Sequence, residues 1–110
     1  MSASKHLNKQ LFHGTHADLS VGDTIEPRTK WHPDDKGRAF ATHDYPSALW
    51  YAGNRAYHEG KLFGTVYSVE PKEGSNTAVG EVGRDSVTSD KGFRVKNIAG
   101  YIPSDERPNV

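Results

Sequence analysis

Cysteine is absent from the 110 residues, which removes disulfides, thiolate nucleophiles and every cysteine-based zinc site together. An excess of charge is absent too: 14 basic residues face 14 acidic ones, for a formal net charge of zero with histidine neutral. Such a chain lacks the long-range field that draws proteins onto nucleic acid, so that partner is expected only through a local patch. No apolar run approaches the roughly 18–20 residues that span a bilayer, and the opening MSASKHLNKQ lacks the apolar stretch of a signal peptide. The expected setting is cytoplasmic, with no membrane partner. Apolar residues are scarce as well, at 34%, so the core must be modest and rich in aromatic rings rather than a large aliphatic one.

What is present fits one domain, expected over residues 10–103 between a flexible arm at 1–9 and a flexible tail at 104–110. A first strand is expected at Gln10–Thr15 (QLFHGT), then a Gly22-Asp23 reversal within a loop Ser20–Pro27. Arg28–Lys36 (RTKWHPDDK) has the composition of a surface loop around Trp31. A short strand, Arg38–Thr42, leads to Asp44 as a helix cap and Pro46 in the first turn. Leu49, Ala52 and Ala56 then recur at helical spacing through Tyr45–His58, with Gly60 as the stop. Lys61–Glu70 alternates with strand period and ends at Pro71, and Phe93–Ile102 reads as a closing strand with an irregularity at Gly100. Between them Lys72–Lys91, rich in Gly, Ser, Asp and Thr, reads as loop around Ala78-Val79 and Val82. The sum is an α+β domain, a curved and mostly antiparallel or mixed sheet with one main helix.

The word with most chemistry in it is Phe12-His13-Gly14-Thr15. A strand-end histidine, a glycine that lets a backbone come close and a threonine that donates or accepts suit a ligand bearing ribose or phosphate. A partly buried histidine satisfied by the main chain before a plain glycine turn explains the same word equally well.

Three segments carry a family resemblance. Phe12–Asp23 (FHGTHADLSVGD), the strand-to-helix passage Ala39–Ala52 (AFATHDYPSALWYA) with Phe40, Thr42, Ala48 and Trp50 in register, and Val66–Pro71 (VYSVEP) together resemble the rifamycin ADP-ribosyltransferase family. The resemblance implies a compact ADP-ribosyltransferase-like fold and NAD as co-substrate. It also implies transfer of ADP-ribose to an acceptor hydroxyl after nicotinamide leaves through an oxocarbenium-like step, with antibiotic resistance as the outcome if the acceptor is a rifamycin. Under it His13 orients the ribose, with Gly14, Thr15, Phe40, Thr42 and Tyr51 as further cofactor contacts. Phe40 stands where the family has tyrosine, keeping a ring but no hydroxyl, and Tyr51, eleven residues on, supplies a second ring. A carboxylate that steadies charge as nicotinamide leaves is assigned to Glu81, with Asp85 in reserve.

Two other readings stay open. One is a non-catalytic module of the same scaffold that binds a nucleotide or a partner protein. The other is a metal cluster from His13, His16, His32, Asp34 and Asp35, which needs a turn at Gly14 because an interval of three on a strand sends side chains to opposite faces. The acceptor, whether small molecule or protein, and the oligomeric state have no signature in the sequence.

Overall fold

The computed structural model describes residues 10–27, 39–79 and 85–104. The expected arm at 1–9, the loop with Trp31, His32, Asp34 and Asp35, Arg38, Glu81, Val82 and the tail from 105 lie outside the described residues. Among the described residues seven strands and one helix follow in the order β1 (Leu11–Thr15), β2 (Thr24–Ile25), β3 (Ala39–Thr42), α1 (Tyr45–His58), β4 (Phe63–Pro71), β5 (Thr77–Val79), β6 (Ser86–Ser89) and β7 (Phe93–Pro103). They form a single sheet in the order β2-β7-β4-β1-β3-β6-β5, and every pairing is antiparallel. The α+β class stands, and the sheet is wholly rather than mostly antiparallel.

Helix α1 begins and ends as its sequence dictates. The Asp44 carboxylate accepts from the Ser47 N–H at 3.0 Å, satisfying one of the donors a helix leaves bare at its start. At the other end Gly60 adopts φ +69°, and Lys61 N donates to Ala56 O at 2.8 Å, the bond that closes a glycine-terminated helix. The buried face is made of small residues, Ala48, Ala52, Gly53 and Ala56, flanked by partly buried Tyr45 and Leu49.

Small residues on both sides set how closely α1 lies on the sheet. A Cβ on Gly14 would stand 2.0 Å from Ala48 O, and one on Gly64 2.1 Å from Ala52 O. Gly100 is likewise filled, by the Tyr45 hydroxyl at 2.0 Å from where its Cβ would be. Strand β4 is therefore covered on both faces. Gly64 and Val66 meet the helix while Thr65, Tyr67 and Val69 face the other way, and all five are buried. That second face holds the larger core, Leu11, Ala39, Ala41, Tyr67, Val69, Val87, Phe93 and Val95, with Leu19 and Ile25 packed against it.

Two expectations need correction. Ser20–Pro27 is more than loop: Thr24 and Ile25 pair with Arg94 and Phe93 of β7, a two-residue strand with too little pattern to read. Within Lys72–Lys91, β5 and β6 form the far side of the sheet. Val87, Thr88 and Ser89 are buried, and polar β6 is stabilised by its partner Ala39–Thr42 and by Ser89 Oγ, which donates to Gly92 O at 2.8 Å. A strand built from Ser and Thr carries no hydrophobic signal of its own.

Candidate functional site

His13 lies at the middle of β1, with β3 on one side and β4 on the other. Its Nδ1 lies 2.7 Å from the main-chain oxygen of Phe40. A carbonyl oxygen only accepts, so Nδ1 carries the proton and Nε2 of the neutral ring carries a lone pair. Burial disfavours the charged imidazolium and pulls the His13 pKa below its usual value, the Phe40 carbonyl opposing this to a lesser degree. The result is a neutral ring in one tautomer, held by the strand beside it, with Nε2 as its acceptor nitrogen.

Strand alternation decides which of the expected residues meet His13. Leu11 belongs to the larger core with Ala39 and Ala41, so the Leu11, His13 and Thr15 side chains leave the sheet on that face. Phe12 packs toward α1 and pairs with Thr42, which places Phe12, Gly14, Phe40 and Thr42 on the opposite, helix-covered face. Tyr51, half exposed on α1, is on that side as well. The structure thus brings His13 and Thr15 together and puts Gly14, the Phe40 ring, Thr42 and Tyr51 across the sheet from them. What Phe40 gives to His13 is its carbonyl.

Each residue of the far group has a local task. The backbone that comes close to Gly14 is that of α1. Thr42 Oγ1 accepts from Asp44 N at 3.0 Å and so shapes the turn into the helix, and Tyr51 packs edge-on against Trp50 with ring centroids 5.1 Å apart. On the near side, Thr15 Oγ1 accepts from Ala17 N at 3.2 Å, which leaves the hydroxyl proton to give.

Of the two carboxylates, Glu81 lies outside the described residues. Asp85 accepts through its main-chain oxygen from His43 N at 2.9 Å, one step beyond the Thr42–Ser86 pair. That is the Leu11 end of β1, since Thr42 faces Phe12. At ordinary strand spacings its Cα is roughly 12 Å from that of His13, directed away from Thr15.

Tyr67 is the residue the sequence did not single out. It pairs across β4 with His13, and its hydroxyl donates to Ala17 O at 3.0 Å and accepts from Leu19 N at 2.7 Å. One buried phenol thereby ties the segment after Thr15 over the face that His13 occupies. Its strand period was visible, but the register that sets it beside His13 depends on a pairing 54 residues apart. The His16 Nδ1 is buried without a hydrogen-bond partner, and His32, Asp34 and Asp35 of the expected metal cluster lie outside the described residues. Among the described residues no group of three or more His, Asp or Glu gathers in a way that would hold an ion.

Among the described residues no helix is long and apolar enough to cross a membrane. No protein-family model matches the chain, and no curated protein matches it.

Proposed function

We propose that the chain binds NAD through His13 and transfers ADP-ribose to an acceptor hydroxyl. The observation that carries the reading is the fixed tautomer of His13, neutral, anchored through Nδ1–H and offering Nε2 to a sugar hydroxyl beside the Thr15 hydroxyl. These two groups match a ribose edge, and they do so by fixing geometry rather than by moving a proton. In the reaction the bond from the ribose C1′ to nicotinamide breaks, nicotinamide leaves with the electron pair, the acceptor oxygen bonds C1′ and the acceptor proton passes to solvent. Glu81 is the carboxylate proposed to steady the positive charge at C1′. A rifamycin hydroxyl is the first acceptor to try, on the strength of the resemblance in Phe12–Asp23, Ala39–Ala52 and Val66–Pro71.

The second reading is a binding module of the same architecture that performs no transfer. It is favoured by one observation, the separation of the Phe40 and Tyr51 rings from His13 by the thickness of the sheet, which denies a ligand on the His13 face its ring sandwich.

Titration with NAD by calorimetry, followed by a nicotinamide-release assay with and without a rifamycin, separates the two. Release together with binding is the outcome expected for the transferase. Binding alone selects the nucleotide-binding module, and no binding removes both the transferase and that module, leaving only a module that binds a partner protein.

A further inference from the structure

Strand β7 runs for eleven residues, yet β2 pairs with it only at Phe93 and Arg94. From Lys96 to Pro103 its outer edge has no strand partner among the described residues. An open edge presents main-chain N–H and C=O groups in a row, and the chemistry that satisfies them is another extended backbone. Large apolar side chains crowd this edge. Leu62 is 85% exposed, Tyr101 57%, Ile98 47% and Phe63 46%, and the Phe63 and Tyr101 rings touch edge-to-face with centroids 5.6 Å apart. Phe63 and Tyr101 share a sheet face, since Phe63 pairs with Pro103 and Thr65 with Tyr101.

The devices that usually blunt an edge are unevenly placed. Both irregularities in the β4–β7 pairing, and Lys96, lie before Gly100. Pro103, with no N–H, closes the far end. Between them Gly100, Tyr101 and Ile102 form a regular stretch that carries the most exposed aromatic of the strand, Tyr101.

We propose that this edge is the interface between two copies of the chain, joined antiparallel through Gly100–Ile102 about a two-fold axis. Antiparallel pairing of one strand with itself is self-complementary, because each residue offers its partner the groups it needs in return. The two-fold sets Tyr101 of one copy beside Tyr101 of the other on one sheet face, each ring backed by the Phe63 of its own copy, and brings Ile98, on the same face, to the margin of the contact. A net charge of zero leaves no long-range repulsion between copies to overcome. The contact is small and its affinity modest, as for transient interfaces below the standard size.

The test is sedimentation velocity over a hundredfold concentration range on the full chain and on three variants, each first checked by circular dichroism. The expected result is an apparent mass that rises toward twice the monomer for the native chain and for Val79→Lys, which alters the exposed β5 edge on the other side of the sheet. Tyr101→Lys stays monomeric throughout, and Ile98→Lys serves the same purpose should Tyr101→Lys fail to fold. A native chain that remains monomeric at the highest concentration overturns the proposal. So does association that survives both β7 variants or that disappears with Val79→Lys.

Discussion

At the scale of single residues, His13 concentrates both chemistry and stability. Because its folded pKa lies below the unfolded value of 6.5, the unfolded chain binds a proton first as pH falls. Stability attributable to this ring is whole above about pH 6.5 and declines as pH drops from there toward the folded pKa, levelling off below it. Urea midpoints measured across that window are expected to slope less for His13→Gln than for the native chain. His13→Ala is expected to weaken NAD binding roughly 5- to 150-fold, the 1–3 kcal/mol of a well-placed hydrogen bond lost from a buried partner; unchanged affinity in calorimetry would sink the assignment. Glu81→Gln should abolish nicotinamide release while NAD still binds, whereas Asp85→Asn, altered at the Leu11 end of the sheet, should release at the native rate. Phe40→Tyr should leave NAD affinity unchanged, since the added hydroxyl projects from the helix-covered face.

Among the elements, the contact of α1 with the sheet is set by missing side chains. Gly14→Ala and Gly64→Ala each drive a methyl into a main-chain carbonyl, where no rotamer change gives relief. Each is expected to lower stability by at least about 1–3 kcal/mol, read as a fall in denaturant midpoint at unchanged slope. Helix α1 itself was legible, because Asp44, Pro46, the alanine stripe and Gly60 are all local signals. So were β1, β4 and β7, through alternation and flanking turns. Strand β6 was not, since Thr88 and Ser89 owe their burial to a strand far away in sequence. The role of Gly14 was half legible: close approach was expected, but which backbone approaches is a tertiary fact. For the site the sequence pointed to His13 and Thr15, and it could not show that one-residue alternation carries Phe40 to the other face while its carbonyl returns to the histidine. Tyr67→Phe tests the element that sequence missed. Losing one phenol oxygen strands Ala17 O and Leu19 N, and hydrogen exchange at Leu19 is expected to quicken while β4 keeps its protection.

For the molecule as a whole, strand order matters more than strand content. Neighbours in the sheet are mostly distant in sequence: β1 lies between β3 and β4, and β7 between β2 and β4. Pairings of this kind close long loops before they gain contacts, so refolding in the millisecond-to-second range is expected in stopped-flow fluorescence, slower than for a helical chain of equal length. The position of β7 has a further consequence during synthesis. Among the described residues β2 has β7 as its sole neighbour in the sheet, and the segment after Thr15 gains this second anchor only when Phe93–Val95 has left the ribosome. Until that moment Leu11, Tyr67 and Val69 lack the Phe93 and Val95 side chains that complete their core, although β1, β3, α1 and β4 have all been synthesised.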